Sequence, residues 1–288
     1  SGRGDVRRRQ PRARHRAAAE PRHDRDLGEA RGQARPGRHR RDARPRGRGL
    51  RRARADPARA VRRAARAVGE RGEVNAPRDA KLEVYSDPRV AAEYDKRWDG
   101  ALGRARNARK ARAIRGALAA LGSPDVVLDA PCGNGRFSAL LSSGERRYVG
   151  ADLALPMLAD ARARHAACAY VAADLARLPF ADRAFEAAVC IRFLHLVRAR
   201  ELRIAVLREL ARVSSIGIVV DYRHSRTLRV LGRRVRHALG LRDRAPSNPS
   251  PDAIRAELAE AGLEELAWIP VHRAPWLSDK VLVVARAR

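Results

Sequence analysis

A chain of 288 residues with 45% hydrophobic side chains has the apolar material for one good core. Its formal charge of +29, from 62 Lys and Arg against 33 Asp and Glu, draws it toward polyanions and anionic surfaces. No run approaches the ~18 apolar residues of a membrane helix and no signal-peptide core is present, and Cys132, Cys168 and Cys190 lack a CxxC pair or a His at ligand spacing, so reduced cytoplasmic thiols are expected, with neither zinc nor disulfide.

Residues 1–77 hold 25 arginines and no lysine, isoleucine or aromatic residue. So little apolar surface cannot offset the entropy of ordering a backbone, and the segment reads as disordered apart from a helical piece between 57 and 68. Its Arg, Ala, Gly and Pro are encoded by GC-rich codons, which suggests an over-extended gene start with Val74 as a true one. A basic tail for a polyanion and a targeting segment are the alternatives, the latter opposed by the many acidic residues and the scarcity of Ser. The folded domain is expected over 78–288.

From Tyr85 onward short apolar runs alternate with helical patterns. Helices are predicted over 90–98 and 108–121, the second stopped by Gly122 and Pro124. A strand over 126–130 leads to a helix over 136–142, and a strand over 147–152 to a helix over 157–166. Strands over 169–174 and 185–193 follow, then a helix over 198–213 with Leu202, Val206, Leu207 and Leu210 on one face, and a strand over 216–222. This alternation predicts right-handed βαβ units in a Rossmann-like, doubly wound and mostly parallel sheet covered on both faces.

The basic stretch 226–244 places Leu228, Leu231, Val235 and Leu239 near one helical face with arginines on the others. It fits a cover over an acceptor site, a contact with an anionic lipid surface, or a helix packed on the domain with a solvated cationic face. A helix over 251–261 then precedes strands over 263–271 and 280–285 with no helix between them, which predicts an antiparallel C-terminal hairpin.

The stretch VVLDAPCGNGRF, 126–137, ends a strand on Asp129 and sets two glycines where a helix should begin. Gly133 and Gly135 would let a ligand approach the backbone, and the helix start offers free N–H groups to an anion. The third glycine of a dinucleotide loop is replaced by Ser138, and no Gly-Lys-Ser/Thr ending marks a P-loop. A carboxylate at Asp129 would repel a pyrophosphate, whereas an amino acid supplies an ammonium for Asp129 and a carboxylate for the helix end.

Asp129, Ala130, Pro131, Cys132, Gly133, Asn134 and Gly135 resemble the first motif, D-x-x-x-G-x-G, of the class I S-adenosylmethionine-dependent methyltransferases. The stretch from Tyr148 is similar to the family's next block, in which Asp152 would bind the ribose hydroxyls while Leu153 and Met157 pack beside the adenine. The stretch from Val171 is similar to the third block, which implies that Asp174 accepts from the adenine amino group and that the Leu175 backbone N–H faces the ring. Arg192, ending the fourth strand, is expected at the same pocket. The resemblance spans 85–288 and implies a seven-stranded sheet with its last strand antiparallel, and S-adenosylmethionine as methyl donor.

The sulfonium already activates the methyl group, so such a domain chiefly aligns donor and acceptor and excludes water. The fourth strand ends in CIRFLHLV, which matches neither the motif of amino-directed nucleic-acid methyltransferases nor the Pro-Cys of the pyrimidine C5 enzymes. It resembles instead the small-molecule branch related to ubiquinone and menaquinone biosynthesis. A small-molecule acceptor methylated at O, C or N is therefore expected, and nucleic acid is not expected as substrate of the folded domain. His195 would take a proton from a hydroxyl acceptor or serve as a structural histidine. Asp221, Tyr222 and His224 end the fifth strand at the same rim, where one of them would orient the acceptor, and Tyr85, Tyr94 and Trp98 would serve as a lid or as packing. The alternatives are a nucleic-acid methyltransferase, favoured by the charge, and a donor-binding module without turnover.

Overall fold

The computed structural model describes residues 87, 89, 93, 96, 98 and 100–288. The expected disordered segment 1–77, most of the helix expected over 90–98, and Tyr85 and Tyr94 lie outside the described residues. The first long helix, α1 (Gly100–Ala120), begins eight residues before its expected start. Its opening turns hold Ala and Arg, which favour helix but carry no apolar period to read, and most of them are exposed. Further along, Ala113, Ile114, Ala117 and Leu118 form the buried stripe.

Seven strands follow: β1 (Val126–Asp129), β2 (Arg147–Asp152), β3 (Ala169–Ala172), β4 (Phe185–Cys190), β5 (Ser214–Arg223), β6 (Leu263–Pro270) and β7 (Lys280–Ala287). They form one sheet in the order β3-β2-β1-β4-β5-β7-β6. The pairs from β3 through β5 are parallel, and β7 runs antiparallel to both β5 and β6. The C-terminal pair is thus antiparallel as expected, but β7 enters between β5 and β6 rather than ending the sheet. Its five consecutive buried residues, Val281 to Ala285, suit an interior strand, while β6 exposes part of most of its side chains and takes the edge.

The helices α2 (Ser138–Leu141), α3 (Leu155–Arg164), α4 (Arg200–Val213), α5 (Leu228–Ala238) and α6 (Pro251–Glu260) complete the domain with a short 3-10 turn, Pro275–Leu277. Two apolar clusters divide the sheet by the two-residue strand period. Leu128, Ala188, Val220 and Val283 face the side of α4 and α6, whereas Val127, Val189, Val219 and Leu282 face the side of α1. The chain winds from β1 to β3 in one direction and from β4 to β5 in the other. The crevice beyond the carboxyl ends of β1 and β4 is therefore the switch point at which such sheets take ligands.

Two expectations need correction. The helix after β1 is four residues long, so Arg136 and Phe137 lie in turns and a full helix dipole is not available to the loop. β3 stops at Ala172, which leaves Asp174 beyond the strand in an isolated bridge with Arg177.

Candidate functional site

Val127 points toward α1, so Asp129 ends β1 on that same face. Its carboxyl is 2% exposed and accepts a hydrogen bond from the Tyr148 hydroxyl at 3.2 Å. Burial pushes its pKa up to about 8, opposed by the Tyr148 hydrogen bond and reinforced by Asp152. Behind Tyr148 stands a chain of buried hydroxyls: Tyr170 donates to Ser138 Oγ at 2.9 Å, and Ser138 donates to the Tyr148 hydroxyl at 2.8 Å. Ser138 and Tyr148 each receive one proton and give another, so the chain fixes the Tyr148 donor on Asp129. Sequence reasoning missed this support, although two Tyr and a Ser on strands and a helix start facing one side are readable by period.

Gly133 and Gly135 both have positive φ, +56° and +75°. A Cβ at Gly133 would meet nothing within 4 Å, so the loop faces open space there, whereas at Gly135 it would come within 3.0 Å of Ser138. Asn134 between them is 1% exposed, and neither its Oδ1 nor its Nδ2 finds a partner among the described residues. A buried donor and acceptor held unsatisfied beside an open backbone is the setting of a polar ligand. Cys132 anchors the loop through its backbone N–H to Ala151, and its thiol is driven up by burial and by the two aspartates, which makes it a packing group.

Asp152 ends β2 across the loop. Its Oδ2 accepts from the Gly133 N–H at 2.8 Å and its Oδ1 from the Ala154 N–H at 2.9 Å. Burial raises its pKa and these backbone donors lower it. Leu153 is exposed beside it, while Met157 is buried. Asp174 is half-buried and accepts from Ala176 N–H at 2.9 Å. The Leu175 side chain lies in the core on the α4 side. Arg192 follows β4 with φ +64° and lies 4.4 Å from the centre of the Trp98 ring, which Arg136 of the glycine loop approaches at 4.2 Å. Trp98 thus joins the loop to the end of β4 by two cation–π contacts. The Trp98 backbone, just before α1, lies so close to Gly103 that a Cβ there would come within 2.2 Å of the Trp98 carbonyl oxygen.

At the end of β5 the strand period separates residues that adjoin in sequence. Asp221 faces α1, where its Oδ1 pairs with Lys110 at 2.8 Å, both groups being nearly buried. Burial lowers the Lys110 pKa and Asp221 raises it. Tyr222 and His224 face the other way: the Tyr222 hydroxyl reaches Glu257 at 3.4 Å, and His224 meets Trp268 edge-on. The expected grouping of the three at one rim does not form. His195 is exposed at the rim after β4. Partial desolvation of its ring and then Arg223 push its pKa below the ordinary imidazole value, against Asp221 and with help from Arg192 and Lys110. The cations Lys110, Arg223 and Lys280 were not anticipated. Lys110 interrupts the apolar stripe of α1 and Arg223 shares Asp221's strand parity, both legible in sequence, whereas the place of Lys280 is set by the register of β7 on β5.

Among the described residues no group of three or more His, Cys, Asp or Glu could hold a metal, and no helix is long and apolar enough to cross a membrane.

Residues 127–217 match a family model described as a methyltransferase domain. The chain is 45% identical over 73 residues to the malonyl-[acyl-carrier protein] O-methyltransferase of Pseudescherichia vulneris, a match covering 25% of this chain and 29% of that protein. It is 33% identical over 92 residues to a probable tRNA methyltransferase 9B of Mus musculus, covering 32% of this chain and 20% of the other. The match thus spans less than a third of the length of either relative. The fold is similar to that of magnesium protoporphyrin IX methyltransferase from Synechocystis PCC 6803, crystallised with S-adenosylhomocysteine, at TM-score 0.56 and 16% identity over 72% of this chain and 98% of that one.

Proposed function

From a chain that carries a class I methyltransferase domain, we propose an enzyme that transfers the methyl group of S-adenosylmethionine to a small-molecule acceptor. The observation that carries this reading is the glycine loop: a buried carboxyl at Asp129, open space over Gly133, unsatisfied Asn134 and a second carboxylate, Asp152, facing it from β2. Asp129 would hold the donor's ammonium and the loop its carboxylate. Asp152 would exchange its backbone donors for the ribose hydroxyls, and Asp174 with the Leu175 N–H would meet the adenine. The bound donor supplies a methyl group already activated by its sulfonium. The protein aligns the acceptor, and Trp98, joining Arg136 to Arg192, excludes water from above. His195, held neutral, would accept a proton from a hydroxyl acceptor. The similarity to proteins named O-methyltransferases favours oxygen as the atom methylated.

Two further elements belong to this reading. The apolar stripe of α5 with its flanking arginines would rest on an anionic membrane surface, and the three unbridged cysteines suit a cytoplasmic setting. A nucleic-acid acceptor finds support in the charge and in the tRNA-methyltransferase relative, but the strand-end sequence after β4 opposes it.

Calorimetric titration of S-adenosylhomocysteine into the full chain tests the donor site. Wild type should bind, Asp152→Ala should lose roughly 1 to 3 kcal/mol as charge-assisted hydrogen bonds are removed, and Gly133→Val should abolish binding in a protein that still folds. Normal binding by Gly133→Val would mean that the loop is not the pocket.

A further inference from the structure

Several arginines on the domain surface have carboxylate partners: Arg200 with Glu260, Arg226 with Asp252, Arg233 with Asp279, Arg255 with Glu265 and Arg286 with Glu264. Arg223 and Lys280 do not. Neither side chain makes an ion pair or a hydrogen bond among the described residues, although both are half-buried. They stand directly opposite each other across the β5–β7 ladder, where like charges repel. Burial, then Arg223 and Lys110, lower the Lys280 pKa, with Asp221 and Asp279 acting the other way. Nearby, the Lys110 ammonium is committed to Asp221, and the Asp279 carboxylate is committed to Arg233 and Asn248. Among the described residues the cost of two opposed and partly desolvated cations is therefore offset only by the distant pull of Asp221 and Asp279, with no carboxylate in contact with either.

By strand parity Arg223 and Lys280 lie on the α1 face with Asp221; the charge of Arg223 is felt at His195 and Lys110, and that of Lys110 at Lys280. This is the acceptor side of the crevice if the domain is a methyltransferase, and the inference rests on that reading. We propose that Arg223 and Lys280 form a carboxylate-binding subsite, so that the methyl acceptor is a small molecule carrying a carboxylate. The planar guanidinium presents parallel N–H donors to the two oxygens of such a group, and the ammonium supplies a second charge from across the ladder. With one anion between them the mutual repulsion of the cations becomes attraction to a shared partner. A carboxylate there also offsets the Arg223 charge that, after burial, lowers the His195 pKa.

The test uses the full chain, with and without S-adenosylhomocysteine. Binding of malonate, succinate, benzoate and salicylate is compared by ligand-observed NMR with that of the matching amides and of phenyl phosphate. At least one carboxylate should bind at least about tenfold tighter than its amide, and the variant Arg223→Gln/Lys280→Gln should lose that preference. Because the substitution relieves a like-charge pair, the melting temperature of the ligand-free variant should equal or exceed that of wild type, a sign opposite to that of damaged packing. Lys280→Gln alone should show the same two changes in smaller measure. Equal binding of acid and amide, binding of phenyl phosphate alone, an unchanged preference in the variant, or no carboxylate bound at millimolar concentration would each overturn the proposal. If carboxylates bind as expected while S-adenosylhomocysteine does not bind at all, the methyl-transfer reading fails and the anion subsite stands.

Discussion

Asp129 is the residue at which ligand binding and stability pull in opposite directions. An acid buried with a folded-state pKa of about 8, against an ordinary 3.8, keeps a proton that the unfolded chain releases. Between those two values the folded state binds more protons, so this group's contribution to stability is fully present at acid pH and is lost as pH rises toward about 8. Asp129→Asn should remove that slope, melting above wild type where the buried acid would have to ionise, at and above a pH of about 8, while losing affinity for S-adenosylhomocysteine. Melting curves of both proteins across pH check it, and parallel slopes would show that Asp129 titrates normally. A cationic ligand needs the carboxylate form, so binding at pH 7 should release a proton, seen as a binding heat that depends on buffer ionisation enthalpy. The role of Asp129 is legible in sequence as a strand-end carboxylate before two glycines. Its raised pKa is not, because that comes from burial against β2, reinforced by Asp152 and opposed by the Tyr148 hydrogen bond.

Among the elements, α5 inverts the usual rule for a surface helix. Val230 is its buried residue, and Arg233 ties the same side to Asp279, while Leu228, Leu231, Val235 and Leu239 are 57%, 55%, 49% and 67% exposed. The sequence pattern locates this apolar stripe correctly, and a packed stripe with a solvated cationic face is the arrangement that the structure does not show. Trp276 and Leu277 of the neighbouring 3-10 turn are also exposed, and Arg229, Arg234 and Arg236 flank the stripe. Replacing the four stripe residues with Ser should leave the melting temperature nearly unchanged, as for surface substitutions within about 0.5 kcal/mol. The same change should abolish sedimentation with vesicles rich in phosphatidylserine, and wild-type binding should weaken with salt. Equal binding to neutral vesicles, or unfolding of the variant, would sink the membrane reading. By contrast Val230→Ser should destabilise by roughly 1 to 3 kcal/mol, since it puts a hydroxyl into an apolar contact.

For the whole molecule, any ligand that binds only the folded state stabilises it by mass action. S-adenosylhomocysteine at 100 times its dissociation constant should add about 2.7 kcal/mol, a rise of roughly 5 to 10 °C for a domain of this size. Calorimetric binding without any rise in melting temperature would place the ligand on the unfolded chain instead. The same scale decides the architecture. The parallel half of the sheet follows from strands and helices that alternate along the chain, because each crossover must bring its strand back on the same side with the same hand. Nothing comparable dictates the order of β6 and β7. Their burial patterns, continuous in one and broken in the other, become an ordering rule only once β5 offers an edge to be covered.

The sequence by itself determined the α/β class, the strand-ending aspartates, the glycine loop and the amphipathic character of 226–244. Each depends on neighbours within a few residues, through strand and helix periods or through the backbone freedom of glycine. Only the tertiary structure decided that Asp221 faces Lys110 while Tyr222 turns to Glu257, that Trp98 lies between Arg136 and Arg192, and that Arg223 stands opposite Lys280. These groups are separated by tens of residues or more, apart from the adjacent Asp221 and Tyr222, which the pleat sends to opposite faces. Charge and burial at such places are set by what the fold brings together across the sheet, and no local pattern encodes that.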